Sequence, residues 1–253
     1  MGFKEYDAIV SLGGFCGASI QLRARGLRPY SLPFDWLFME DEQSIKWLTS
    51  EVGNDFRSFC LRENLVAIDR ADVGGMAPFK YKDVLSGYGF VHHFRKDKEA
   101  GGYEEAKIVM DRRMRRFFSI FTPGKSVLLI LSTLFEFDYG LAEDLLRAFR
   151  VRFPDTMIDL HVIQLGCAFD NTLTLAERVP DSLPFTGCRV ARMQDYDLHY
   201  TSSEWSFLDG LALTDYPRKK LKGISKLKFK IWKGLSKWLR NEGYGCLGVR
   251  FYG

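Results

Sequence analysis

The feature that most constrains the fold of this chain is a strand–helix–strand unit near its middle. Residues 126–132 form an uninterrupted apolar run, Ser-Val-Leu-Leu-Ile-Leu-Ser, which is typical of a strand buried on both faces. A helical pattern follows over residues 139–152, and residues 158–164 are predicted to form another strand. Because a crossover through one helix joins parallel neighbours, this unit predicts a parallel sheet.

A second strand–helix pair lies at the start of the chain. Residues 6–12 resemble a short buried strand that ends at two glycines, residues 13–14. A helix is predicted to begin at Cys16 and to run to about Arg25. This pair fits the same sheet as the central unit.

The intervening residues follow less regular patterns. We expect a loop over residues 27–38, a short helix over 44–48, an exposed excursion over 69–89, a strand over 90–94 and a strong amphipathic helix over 103–121. Together these elements predict an α/β fold for residues 1–215, with three layers built on a mainly parallel, Rossmann-like sheet.

The last part of the chain, residues 216–253, is predicted to be a separate basic, amphipathic tail. Between residues 218 and 242 it holds ten Lys or Arg and one acidic residue. Apolar residues and cations fall on opposite sides of a helix drawn through residues 221–240, which is typical of a helix at an anionic membrane surface. We expect residues 218–240 to bind such a surface, with a helix packed on the body as the alternative. Nucleic acid is not an expected partner, because no other basic stripe accompanies the tail.

The cysteine pattern favours a reduced compartment. The five cysteines are widely scattered, and no pair has the C-x-x-C spacing of a zinc or redox motif. No apolar run is long enough to span a membrane, and the N-terminus lacks the apolar stretch of an export signal. We therefore expect a cytoplasmic protein, peripheral to the membrane at most, that needs no metal or cofactor.

Cys16 is the candidate nucleophile. A thiol in the first turn of a helix lies among N–H groups that have no partner within the helix, at the positive end of the helix dipole. That environment favours the reactive thiolate. The alternative is a small cysteine buried in the core.

Several motifs around Cys16 resemble one family. They stand in order between about residues 6 and 135: Ser11-Leu12-Gly13-x-x-Cys16, Leu22-Arg23-x-x-Gly26-Leu27-Arg28, Pro33-Phe34-Asp35-Trp36, His92-x-Phe94 and Arg112-Arg113-x-x-Arg116-Phe117. Together they resemble a mainly bacterial family of uncharacterised proteins described as putative papain-like cysteine peptidases. The resemblance implies a cysteine–histidine pairing. The parallel sheet predicted here differs from papain itself, which carries its histidine on a separate antiparallel half.

His92 is the predicted base for Cys16, and the resemblance aligns it with the histidine of the family's usual His-Asp-Phe motif. If residues 90–94 form a strand, His92 and His93 face opposite ways, and one of them can point at Cys16. His93 then stands where the family has its aspartate. Asp35 is the candidate third catalytic member, either orienting His92 or capping a turn at Leu37.

Other acidic and histidine side chains offer alternatives to these assignments. Glu136 and Asp138 follow a buried strand and could substitute for Asp35. His161 lies within a predicted buried strand, where a core role is the more common one. A phosphate-binding loop at residues 13–17 and a metal site built from Cys16, His92 and His161 are weaker alternatives, because the spacings do not match known motifs.

Arginines supply the candidate substrate contacts. Arg23, Arg113 and Arg116 could bind a carboxylate or phosphate on the substrate, since guanidinium groups bind such anions through paired hydrogen bonds. The alternative for the arginines at 112–116 is a solvated helix end that compensates the helix dipole.

These residues predict a cysteine-dependent enzyme. The expected chemistry is hydrolysis or transfer through a thioester, acting on a small-molecule, glycan-linked or peptide-like acyl substrate. The alternative function, motivated by the basic tail, is a membrane-associated accessory protein or transferase in bacterial surface-polysaccharide assembly without thiol catalysis.

Overall fold

The computed structural model describes residues 4–68, 81–90, 92–94, 102–133, 135, 138–165, 188–193 and 208–214. All of them belong to one compact unit, Met1–Pro217. The helices are α1 (Cys16–Ala24), α2 (Gln43–Glu51), α3 (Tyr103–Phe118) and α4 (Tyr139–Arg152). The strands are β1 (Lys4–Tyr6), β2 (Ala8–Ser11), β3 (Leu37–Met39), β4 (Leu65–Ala67), β5 (Tyr81–Asp83), β6 (Tyr88–Phe90), β7 (Ser126–Thr133), β8 (Met157–Leu165), β9 (Cys188–Met193) and β10 (Leu211–Leu213).

A four-stranded parallel sheet with the order β2-β7-β8-β9 forms the centre of the fold. Its middle strand β7 is buried along nearly its whole length, which explains the uninterrupted apolar run in the sequence. The predicted parallel sheet and the mixed α/β class are therefore confirmed. The predicted helix over residues 139–152 coincides with α4, and α1 begins at Cys16 as expected.

Successive residues of the central strands belong to two different apolar clusters. In β7, Leu129 packs in a cluster with Leu145 of α4, whereas Leu128 packs with Leu22 of α1. The alternation follows from the period of two in a strand, which sends neighbouring side chains to opposite faces.

A second, antiparallel sheet with the order β3-β6-β5-β4 was not predicted. Strand β5 lies within residues 69–89 and strand β6 begins there, so the prediction of an exposed excursion is wrong for residues 81–89. Residues 69–80 lie outside the described part of the chain. The predicted strand over residues 90–94 is also wrong, because β6 ends at Phe90 and residues 92–94 form a bend. Strands of three residues are too short to leave a periodic signal.

Aromatic packing fixes the chain segment between α1 and β3. The Phe34 ring is fully buried and contacts the rings of Phe56, Phe59, Tyr88 and Phe117 at centroid distances of 5.4 to 5.7 Å. These partners come from α3, from the antiparallel sheet and from the turns between α2 and β4. The residues next to Phe34 are thereby held in place against the core.

The turn over residues 12–14, which joins β2 to α1, is held by three different elements. Its successive backbone carbonyls accept hydrogen bonds from the Tyr88 hydroxyl at 2.6 Å, the Ser132 hydroxyl at 2.5 Å and the Met39 N–H at 3.1 Å. Both sheets therefore fix the position at which α1 begins.

The basic tail, residues 216–253, lies outside the described residues. The division into a body and a tail, the membrane contact through residues 218–240 and the cytoplasmic location therefore stay predictions. Within the described residues, no helix combines the length and the apolar composition that crossing a membrane requires.

Replacing Gly14 by alanine is expected to destabilise the fold strongly. Gly14 has φ of +103°, and an added Cβ would lie 1.4 Å from the Ser132 carbonyl oxygen. An alanine is strained at this positive φ, and its Cβ would clash with the carbonyl oxygen. We therefore expect the free energy of unfolding, measured by urea denaturation, to fall by roughly 3 kcal/mol.

The matched control for this substitution is Gly53→Ala, because a Cβ there meets open space. It should change the free energy of unfolding by less than about 0.5 kcal/mol. Equal effects of the two substitutions would contradict the role assigned to the turn.

Candidate functional site

Cys16 is the first residue of α1 and follows directly on the fixed turn. The N-cap residue, Phe15, makes no capping hydrogen bond with its side chain, and the first turn of the helix has no acidic residue. The first N–H groups of an α-helix have no partner inside the helix, and together with the helix dipole they favour negative charge. The half-buried thiol therefore lies where an anion is stabilised.

His92 lies beside this thiol. The Sγ atom of Cys16 is 3.6 Å from Nε2 of His92, although 76 positions separate the two residues in the sequence. This distance is within hydrogen-bonding range for sulfur, so a proton can pass between the two side chains. His92 is exposed to solvent, which leaves the imidazole accessible.

Trp36 packs against His92. The two rings meet edge to face, with centroids 5.7 Å apart and an angle of 90° between their planes. The guanidinium of Arg28 lies over the Trp36 ring at 5.2 Å from its centroid, a cation–π arrangement. Trp36 thus restricts the positions available to the His92 ring.

Asp35 is fully buried and pairs with Arg28. Its carboxylate also accepts a hydrogen bond from the Leu32 N–H at 2.8 Å, and Oγ of Ser19 lies 3.2 Å away. Burial raises the pKa of Asp35, while the charge of Arg28 and the hydrogen bonds oppose that rise. The ion pair compensates a carboxylate that would otherwise be costly to bury.

The contacts of Asp35 differ from both sequence expectations. Its carboxylate partners do not include His92, so it makes no direct orienting hydrogen bond. It caps the turn at Leu32 and not at Leu37, whose N–H donates to the Phe34 carbonyl at 3.3 Å. Asp35 acts on Arg28, which in turn lies on the tryptophan beside the imidazole.

His93 accepts a hydrogen bond from Nη1 of Arg113 at 2.9 Å. Because an arginine can only donate, Nε2 of His93 is the unprotonated nitrogen. Nδ1 is buried and has no hydrogen-bond partner within the described part of the chain. Burial first, and then the charges of Arg113 and His92, lower the pKa of His93 to about 3. The ring is therefore neutral at physiological pH.

The contact between His93 and Arg113 was not predicted from the sequence. No short-range pattern signals it, because the two residues are 20 positions apart and residues 92–94 follow no regular element. The contact places Arg113 beside His93, which follows His92 directly in the chain.

The three arginines predicted to bind substrate lie in two places. Arg113 and Arg116 are on α3, where the Arg116 guanidinium lies 5.8 Å from the centre of the Tyr30 ring. Arg23 lies exposed in the last turn of α1, roughly 10 Å along the helix axis from Cys16. The structure thus groups Arg113 with Arg116 near the bend that carries His92.

The alternative site residues have other surroundings. Asp138 accepts a hydrogen bond from the Gly140 N–H at 2.9 Å and so caps α4, whereas Glu136 lies outside the described residues. His161 is buried in β8, in register with Ile130. Among the described residues, no group of three or more potential ligands could hold a metal ion.

Comparison with known proteins identifies the chain at the family level. Residues 7–152 match the family described as putative papain-like cysteine peptidases, and this span includes the whole site described above. An uncharacterised protein of Acanthamoeba polyphaga mimivirus is 29% identical in an alignment of 133 residues that covers 48% of this chain and 59% of the relative. The chain therefore spans about three fifths of the length of this viral relative. No solved structure matches the chain.

The neutral His93 predicts an acid-sensitive stability. An unfolded histidine takes up a proton below pH of about 6.5, whereas folded His93 does so only near its pKa of about 3. Because the unfolded state binds the extra proton, stability falls as the pH falls through this window. The replacement His93→Gln keeps an acceptor for Arg113 and does not titrate.

Urea denaturation at pH 7 and pH 5 measures this effect. The unmodified protein should lose about 1 to 2 kcal/mol more between the two conditions than His93→Gln does. Other titrating groups are shared by the two proteins and cancel in the comparison. Equal losses would show that His93 is protonated in the folded state at pH 5.

Proposed function

We propose that this chain is a cysteine-dependent hydrolase or acyltransferase, because it belongs to the family described as putative papain-like cysteine peptidases. Cys16 is the nucleophile and His92 the base. The observation that carries the proposal is the 3.6 Å separation of the thiol and the imidazole at the start of α1. A thiol paired with an imidazole is the minimal arrangement for attack on an acyl carbon.

In the first half of the reaction, His92 takes the thiol proton and the sulfur of Cys16 attacks the acyl carbonyl. The carbon–sulfur bond forms, and the bond to the leaving group breaks as the imidazolium returns its proton to that group. The product is a thioester on Cys16. In the second half, His92 removes a proton from water or from an acceptor nucleophile, which attacks the thioester and releases the thiol.

The start of α1 also supplies stabilisation for the intermediate. Attack on a carbonyl places negative charge on its oxygen, and backbone N–H groups that point at that oxygen lower the barrier. The fixed turn before Cys16 keeps these groups in one position relative to the sulfur, because three hydrogen bonds from other elements hold it. Donors that are already in position stabilise the developing negative charge without a cost for reorganising the site.

Trp36, Arg28 and Asp35 are positioning residues in this proposal. Asp35 neutralises and holds Arg28, Arg28 lies on the Trp36 ring, and the ring packs against His92. This packing restricts the imidazole to positions near the sulfur. A carboxylate that hydrogen-bonds to the imidazole, as in many catalytic triads, is not required for the proposed role of Asp35.

We place the site at the carboxyl edge of a three-layer, Rossmann-like domain. Strand β2 leads through the turn to Cys16, and the parallel neighbour β7 contributes Ser132 at the same edge. The two apolar clusters on opposite faces of the sheet support the three-layer arrangement. Ligands of open parallel sheets bind at this edge, which suits a nucleophile there.

Selective alkylation tests the proposed pair. At pH 6, iodoacetamide should modify Cys16 at least about tenfold faster than it modifies glutathione, because the helix end and His92 favour the thiolate. His92→Ala should remove most of this advantage. Peptide mass spectrometry assigns the modified residue and separates Cys16 from buried Cys60, whose pKa burial raises to about 12.

The control variant is His93→Gln, which changes the neighbouring imidazole that contacts Arg113 instead of the sulfur. Its alkylation rate should stay close to that of the unmodified protein. A p-nitrophenyl ester should also leave one hydroxylamine-sensitive acyl group on Cys16. Slow alkylation together with no acylation would overturn the proposed function.

A further inference from the structure

Among the described residues, Arg113 and Arg116 at the cationic end of α3 have no carboxylate partner, although other cations do. Lys107 on the same helix pairs with Asp111 at 2.5 Å. In contrast, Arg113 contacts a neutral imidazole and Arg116 contacts the Tyr30 ring. Neither guanidinium has a carboxylate within ion-pair distance among the residues that the structure describes.

The local charges are strongly unbalanced. Burial lowers the pKa of Arg113, Asp35 raises it, and the neighbouring charges of Arg28, Arg112 and Arg116 lower it further. One buried carboxylate thus faces four cations, and that carboxylate is already paired with Arg28. Partly buried charges interact strongly because water screens them less. The arginine cluster of Arg28, Arg112, Arg113 and Arg116 therefore carries a positive potential that the carboxylates of the described residues do not balance.

The arginine cluster is connected to the proposed reaction centre by two sets of contacts, one through His93 and one through Trp36. Arg113 donates to His93, the neighbour of the proposed base His92. Arg28 lies over Trp36, which packs against the same base. The nitrogen Nε of Arg28 is buried and has no hydrogen-bond partner among the described residues, so the cluster retains unused donor capacity.

We infer that Arg113 and Arg116 form an anion-binding subsite, and that the acyl substrate of Cys16 carries a carboxylate or phosphate group bound there. The inference rests on the proposed function, because it assigns a substrate class to that centre. Paired hydrogen bonds from guanidinium groups match both anions in geometry, and an anion would balance the excess charge. Arg23, at the far end of α1, is not part of this subsite.

Two alkylating reagents of nearly equal size test the subsite. Iodoacetate carries a carboxylate, and iodoacetamide is its neutral counterpart. The rate of alkylation of Cys16 by iodoacetate, divided by the rate with iodoacetamide, therefore measures the local preference for an anion. We expect this ratio to be about tenfold higher than the ratio for glutathione at low ionic strength, and to fall as salt is added. Inorganic phosphate should slow iodoacetate more than iodoacetamide.

Variants assign the preference to residues. Arg113→Gln keeps a donor for His93 but removes the charge, and Arg116→Gln removes a charge whose described contact is with Tyr30. Each should lower the rate ratio by about threefold or more. Arg147→Gln is the matched control, since Arg147 pairs with Glu143 and Asp144 on α4, and it should leave the ratio unchanged.

The outcomes separate this inference from the proposed function. A ratio equal to that of glutathione, or one that Arg116→Gln and Arg113→Gln leave unchanged, overturns the subsite even if iodoacetamide reacts rapidly. Slow reaction with iodoacetamide, together with no acylation by the p-nitrophenyl ester, overturns the proposed function, while the rate ratio still tests whether the subsite exists. If Arg113→Gln fails to fold, Arg116→Gln and the phosphate competition decide the result.

Discussion

The hydrogen bonding of the turn over residues 12–14 is the constraint on which the site depends. Tyr88 and Met39 of the antiparallel sheet and Ser132 of the parallel sheet all donate to its carbonyls. Because these donors belong to separate sheets, the turn joins the two sheets at the point where α1 begins. The position of the Cys16 sulfur is therefore set by both sheets and not by the helix alone.

A buried ion pair holds the other half of the site. Asp35 and Arg28 are both removed from water, and breaking such a pair by removing one partner typically costs about 3 to 5 kcal/mol. The pair fixes the guanidinium over the Trp36 ring and thereby helps to hold the ring against which His92 packs. Among the described contacts, the Asp35 carboxylate is linked to the imidazole through this packing and not through a direct hydrogen bond.

The neutral imidazole at position 93 has an electrostatic consequence. A carboxylate at this position would pair with Arg113 and cancel its charge. His93 accepts the same hydrogen bond without a negative charge, because burial and neighbouring cations keep its ring unprotonated. Arg113 therefore retains its full charge toward a ligand, which connects this residue to the proposed preference for anionic substrates.

The sequence by itself determined the parallel core and the position of the thiol. The apolar run of β7, the helix at 139–152 and the glycines before Cys16 are local signals, since each depends on residues close together in the chain. The resemblance to the family came from other short motifs, and the match of the family model over residues 7–152 supports the family. Tertiary structure alone decided the antiparallel sheet, the partners of Asp35 and the contact of His93 with Arg113. Those features depend on contacts between short segments that are distant in sequence, where neither periodicity nor spacing records which side chains meet.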